Sequence, residues 1–122
     1  MPTRKAVVVD DDQDVLSVIV EIMTLLGFDV EGFLCPVAAL EHIKGNEVDI
    51  VLTDFKMPEM DGFEFVKNIR EINNSVPIVM VTGEEDTTVF RQKAFREGVT
   101  EMFSKPFDFL EFGMAIRRLV KR

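Results

Sequence analysis

Apolar residues run along this chain in two alternating rhythms. Short β-rich runs lie at Lys5–Val9, Phe28–Phe33, Val48–Thr53, Pro77–Thr82 and Glu101–Ser104, the first, third and fourth rich in Val, Ile and Leu. Between them, apolar residues recur every three or four positions. The first rhythm predicts strands; the second predicts amphipathic helices at 13–26, 36–44, 62–72, 86–97 and 108–121. The first, third and fourth strands are almost wholly apolar, as strands covered on both faces must be. Phe28–Phe33 alternates with acidic residues, as an edge strand does. Five such repeats predict an α/β fold, (βα)5, with a doubly wound parallel sheet between two helical layers.

Punctuation supports the boundaries. Gly27, Gly45 and Gly98 sit where helices should stop, Pro36 sits in a first turn, and Asp12, Asp61 and Asp108 are candidate N-caps. Asn73-Asn74-Ser75 reads as a turn before the fourth strand. The chain holds no repeat, low-complexity tract or linker. One domain over residues 1–122 is therefore expected, with no output domain inside it.

Open parallel sheets bind ligands outside the carboxyl ends of their strands, where strand order reverses. That edge should carry Asp10, Asp11 and Asp12 after the first strand and Asp54 after the third. Thr82 should close the fourth strand, and Lys105 should follow the fifth. In the order 2-1-3-4-5, the first and third strands are neighbours and their acids meet. Like charges ~4 Å apart repel by about 4 kcal/mol at an effective dielectric near 20. A hard, oxygen-seeking divalent cation is the natural occupant of such a cluster.

The segments Val7-Val8-Val9-Asp10-Asp11-Asp12, Leu52-Thr53-Asp54-Phe55-Lys56-Met57-Pro58 with Asp61-Gly62, Val81-Thr82-Gly83 and Lys105-Pro106-Phe107 follow in order across the whole chain. Each alone is a weak signal. Together they resemble the response regulator receiver domain of two-component signalling, a flavodoxin-like fold of the chemotaxis-regulator kind. The resemblance implies that Asp54 accepts a phosphoryl group from a phosphohistidine on a sensor kinase or phosphotransfer protein. It implies Mg²⁺, with Mn²⁺ able to replace it, held by Asp11, by Asp10 through water, by Asp54 and by the Lys56 carbonyl. Thr82 would bond one phosphoryl oxygen and Lys105 would pair with another, in a domain that catalyses its own phosphorylation and dephosphorylation. It also implies a partner or homodimer face formed by the fourth helix, fifth strand and fifth helix, controlling a protein target or fused output domain. Phe90, Phe95, Phe103, Phe107, Phe109 and Phe112 concentrate in that third of the chain; an exposed ring there would be an anchor.

Three positions bear on the family pattern. The residue three before the lysine is often a Tyr or Phe that moves with the threonine on activation; here it is Met102, a flexible thioether that can repack. Lys56 and Glu84 stand two residues beyond Asp54 and Thr82, and a contact between them would shield an acyl phosphate from water. The Lys105-Pro106 bond admits either isomer cheaply.

Other classes stay open at this stage. Asp10 and Asp12 have the spacing of an aspartate-nucleophile phosphatase of the haloacid dehalogenase type, although Asp14 stands where a Thr or Ser is usual and no cap insertion is present. A receiver-like module that never meets phosphate is a third reading. For Asp12, capping of the first helix is the favoured role.

Composition narrows the partners. With 14 basic and 22 acidic residues, a net charge of −8 opposes direct nucleic-acid or anionic-lipid contact. No uncharged apolar run approaches the ~18 residues that a membrane span needs, and Met1 to Lys5 do not open a signal peptide. Cys35 is the single cysteine, which fits a reducing cytoplasm and an apolar filler role near a helix start. His42, the single histidine, falls in the second helix and away from the strand ends.

Overall fold

The computed structural model describes residues 3–83 and 87–120. Strands β1 (Lys5–Val9), β2 (Asp29–Phe33), β3 (Ile50–Thr53), β4 (Ile78–Thr82) and β5 (Glu101–Ser104) alternate with helices α1 (Gln13–Leu25), α2 (Pro36–Gly45), α3 (Gly62–Ile72), α4 (Thr88–Glu97) and α5 (Phe109–Val120). All strand pairs are parallel, and the sheet order is β2-β1-β3-β4-β5, as expected.

Strand alternation divides the core into two layers. Val7, Val9, Val51, Ile78, Met80 and Met102 face one side, beneath buried residues of α2, α3 and α4 such as Leu40, Phe65, Ile69 and Ala94. Ala6, Val8, Ile50, Leu52, Val79 and Val81 face the other, beneath Leu16, Ile19 and Met23 of α1 and Phe112, Ile116 and Val120 of α5. Because successive strand side chains point to opposite faces, the nearly continuous apolar runs feed both layers at once. Met102 and Phe103 accordingly lie on opposite sides of β5. Edge strand β2 keeps Asp29, Glu31 and Gly32 exposed.

Helix ends follow the sequence chemistry. Asp12 accepts from the amides of Asp14 and Val15, and Asp61 accepts from that of Glu64. Asp108 accepts from the amides of Leu110 and Glu111. Gly27, at φ 101°, closes α1: its amide meets the Thr24 carbonyl, and that of Phe28 meets Met23. This claims Phe28 for the helix end, so β2 starts one residue later than its apolar pattern suggests. Gly98, at φ 119°, ends α4 in the same way, with Val99 bonding back to Ala94. Gly45 ends α2 without a left-handed turn, since the following Asn46 is extended. Thr87 caps α4 by accepting from the Phe90 amide, a cap that the sequence pattern did not suggest. The expected start of α4 at residue 86 and end of α5 at residue 121 fall outside the described residues.

Arg70 of α3 joins three segments at the opposite end of the sheet. Its guanidinium donates to the carbonyls of Gly98 (2.7 and 3.1 Å), Val76 (2.7 Å) and Asn73 (3.3 Å). Partial burial lowers its pKa from the ordinary arginine range. Gly98 has to be glycine twice over, for its positive φ and because a Cβ would stand 3.0 Å from Arg70 Nε. Hydrogen bonds to charged donors contribute about 1.5–3 kcal/mol each and are not additive. Arg70→Met is therefore expected to lower the unfolding free energy by at least about 2 kcal/mol in urea denaturation, with little change in the slope.

Candidate functional site

The site forms where β1 and β3, paired from Ala6↔Ile50 to Val9↔Thr53, run out together. Past the last pair, the Asp54 amide donates to the Val9 carbonyl at 3.1 Å, and the Asp10 amide donates to Phe33 of β2 at 3.1 Å. These bonds place Asp10 and Asp54 side by side. One carboxylate oxygen from each of Asp10, Asp11 and Asp54 falls within a group no more than 4.8 Å across. Asp10 is buried, Asp54 half-buried and Asp11 exposed, so the group opens to solvent on one side.

Lys105 is held there by its backbone. Its amide donates to the Thr82 carbonyl at 2.8 Å, and the Lys105–Pro106 bond is cis. Lys105 Nζ lies 3.3 Å from Asp10 Oδ2 and 3.4 Å from Asp54 Oδ1. Asp10 Oδ1 accepts from the Asp12 amide at 2.9 Å, and Asp54 Oδ1 accepts from the Phe55 amide at 2.8 Å. Thr82, fully buried, ends the neighbouring strand.

Electrostatically the pocket is short of positive charge. Burial raises the Asp10 pKa above its usual value, against the Asp12 amide and Lys105, which lower it. Burial likewise raises Asp54, and the negative charge of Asp10 raises it further, against Lys105 and the Phe55 amide. The Lys105 ammonium pairs with two of the three acids. An all-oxygen donor set, crowded and incompletely neutralised, fits a hard divalent cation such as Mg²⁺.

The loop from β3 to α3 shapes the floor. Gly62 N–H donates to the Phe55 carbonyl at 2.7 Å, drawing α3 under the acids. A Cβ at Gly62 would stand 2.8 Å from Met80 Cε and 3.0 Å from the Asp54 carbonyl, so only glycine lets the backbones approach this closely. Lys56 lies exposed on this loop, two residues past Asp54.

The other candidate residues resolve individually. Asp12 is committed to α1, which leaves it poorly placed as the second acid of a dehalogenase-type phosphatase. Cys35 is not an apolar filler: it takes the N-cap position of α2, and its thiol donates to Glu59 Oε1 at 3.2 Å. Met102 is buried beside Met80, its partner across the β4–β5 pairing. The proposed Lys56–Glu84 contact lies outside the described residues, because Glu84 is not among them. His42 packs against Phe33, the last residue of β2, with ring centroids 5.4 Å apart. Of the phenylalanines in the last third, Phe95 and Phe109 are exposed, whereas Phe103, Phe107 and Phe112 stack on one another. The Phe55 amide was missed. Its only trace in the sequence is its place directly after a strand-end acid.

A doubly wound sheet with a cation-accepting acid group at the switch between β1 and β3, and a lysine reaching in from β5, defines the class of α/β signalling receivers. The comparisons with known proteins then give the family: residues 6–117 match the response regulator receiver domain, and the chain belongs to it. It is therefore a signalling domain of two-component systems. Among relatives, it is 29% identical over 114 residues to the response regulator protein TodT of Pseudomonas putida, covering 93% of this chain and 50% of that protein. It is 32% identical over 122 residues to the response regulator MprA of Mycobacterium sp. (strain KMS), covering 100% and 52%. The chain thus spans about half the length of these curated relatives. Among solved structures, it resembles the receiver domain of the Francisella response regulator 1452, with TM-score 0.90, 27% identity and 98% of each chain covered. It also resembles chemotaxis protein CheY4 of Vibrio cholerae, with TM-score 0.88, 27% identity and coverage of 97% and 99%. No described helix is long and apolar enough to cross a membrane.

A raised carboxyl pKa in the folded state means that folding is favoured while the group is protonated and loses that contribution as pH rises through the folded value. Without divalent metal, Asp54→Asn should therefore melt at a higher temperature than the parent chain at pH 7. The difference should shrink as pH falls toward the ordinary aspartate value of 3.8. Calorimetry in a chelating buffer, run at several pH values, measures it.

Proposed function

We propose that this domain accepts a phosphoryl group on Asp54 from the phosphohistidine of a sensor kinase or phosphotransfer protein, and thereby changes its affinity for a protein target or an attached output domain. The carrying observation is Lys105 Nζ standing 3.3 Å from Asp10 Oδ2 and 3.4 Å from Asp54 Oδ1, beside a group of oxygens suited to a cation.

Phosphoryl transfer asks a protein mainly for positioning and charge stabilisation. The Phe55 amide and Lys105 both hold Oδ1 of Asp54, which orients the carboxylate as nucleophile. As the oxygen–phosphorus bond forms, the phosphorus–nitrogen bond to histidine breaks, and the imidazole leaves. Lys105 then exchanges a carboxylate for a phosphoryl oxygen, while the Thr82 hydroxyl supplies a hydrogen bond to another. Asp11 directly, Asp10 through water, Asp54 and the Lys56 carbonyl would hold Mg²⁺ or Mn²⁺. When bound, that ion neutralises the acids and spreads the charge of the transferring group. Hydrolysis reverses the state: water attacks phosphorus, and the carboxylate returns. The domain thus catalyses its own phosphorylation and dephosphorylation and needs no separate active site.

The working unit is the whole of residues 1–122, acting in the cytoplasm. Exposed Val89 and Phe95 on α4 with Phe109, Leu110 and Met114 on α5 support the α4–β5–α5 side as the partner or homodimer face. The net charge of −8 leaves nucleic acid to other domains or proteins.

Incubation with acetyl phosphate and Mg²⁺ should add the mass of one phosphoryl group, mapped to Asp54, and EDTA or Asp54→Asn should abolish it. A phosphatase of the other class would instead lose its adduct with Asp10→Asn alone. Lys105→Met should slow adduct formation on the order of a hundredfold, as removal of a transition-state charge partner does, when followed by intact-protein mass spectrometry.

A further inference from the structure

Phe55 follows the acceptor directly, and its ring joins two helices. It meets Phe63 of α3 edge-on, with centroids 4.8 Å apart and planes at 64°. It meets Phe90 of α4 at 4.9 Å and 87°. Phe63 and Phe90 are themselves 5.1 Å apart, which closes a triangle. Lys93 of α4 adds a second tie, its Nζ lying 5.1 Å from the Phe63 centroid. All three rings are partly buried and pack on the layer that contains Met80 and Met102. Phe90 is fixed in the first turn of α4, where its amide is capped by the Thr87 hydroxyl at 3.1 Å.

Edge-to-face rings have a preferred geometry, so a shift of one is felt by the other. The far end of this chain of contacts is the acceptor, since the Phe55 amide holds Asp54 Oδ1 at 2.8 Å. On the β5 side, by contrast, Met102 presents a soft thioether that can repack without transmitting direction. We propose that Phe63 and Phe90 are positioning residues for Asp54, acting through Phe55, and that the Phe55–Phe90 contact couples the charge state of Asp54 to the placement of α4. This deepens the phosphoacceptor reading and rests on it. Neither ring touches the transferring group; each fixes the plane of Phe55, and with it the direction of the amide that orients the nucleophilic carboxylate. In return, a new charge at Asp54 that pulls on this amide displaces Phe90 and the first turn of α4.

The test uses the full chain with acetyl phosphate and Mg²⁺, in the variants Phe90→Leu, Phe90→Tyr, Phe55→Leu and the double variant Phe55→Leu/Phe90→Leu. Phe90→Leu should lower the maximal phosphorylation rate about threefold to tenfold, the size of one aromatic pair, without altering the donor concentration at half-maximal rate. Amide NMR should show the Phe55 N–H shifted before any phosphorylation. On addition of beryllofluoride, the response of the Thr88–Glu97 amides should fall by more than half. Phe90→Tyr, which keeps the ring, should restore all three readings, and the double variant should lose no more than the more impaired of the two single variants. Wild-type behaviour in Phe90→Leu, failure of Phe90→Tyr to restore it, or full additivity in the double variant overturns the inference. Absence of any adduct on Asp54 in the parent chain instead overturns the phosphoacceptor reading itself.

Discussion

Three carboxylates that would rather be apart share one corner with the Lys105 ammonium, and the rest of the fold keeps them there. The parallel pairing of β1 with β3 sets Asp10 beside Asp54, and the β4–β5 pairing brings in Lys105. Neither acid reaches the other through a long side chain. Their proximity is a property of backbone register, fixed by two layers of buried aliphatic residues well away from the charge. Energy from apolar burial is thus stored as electrostatic tension at the sheet edge. A bound cation would relieve it, and a switch asks that of its ligands: different affinity for two states of one molecule.

Most of this was legible in the sequence because it depends on period and punctuation. The runs at Lys5–Val9 and Glu101–Ser104 match their strands end to end. The caps at Asp12, Asp61 and Asp108 follow from the competition of short acidic side chains for free helix amides. Strand starts were less legible. Val48, Asp49 and Pro77 continue the apolar or extended pattern without counting as strand residues: Asp49 meets β1 at Lys5 alone, its amide donating to the Lys5 carbonyl at 2.8 Å and its carboxylate accepting from the Lys5 amide at 2.7 Å, and Pro77 offers only its carbonyl, to the Val51 amide at 2.9 Å. Period alone does not distinguish a residue that is extended from one that is paired.

At the site, the acids, threonine and lysine were readable because residue type and strand position together announce them. What stayed hidden is contact between side chains distant in sequence. Nothing in the order of residues tells that Phe55, Phe63 and Phe90 converge, or that Cys35 meets Glu59 across 24 positions. A cysteine at a helix start reads as filler because its partner is a loop residue at φ 76°, a backbone state rare for glutamate and invisible to pattern. Arg70 is similar: its role comes from three carbonyls assembled by separate turns.

The outer margin of the sheet has a consequence of its own. An unpaired strand offers its amides and carbonyls as a template on which another molecule can extend the ladder. In β2 the exposed positions include Asp29 and Glu31, and Asp29 is drawn toward Lys5 at 2.8 Å. Two such margins brought together would oppose carboxylate to carboxylate along the new seam. The same alternation that marked β2 as peripheral therefore sets like charges against the pairing of two copies along this edge.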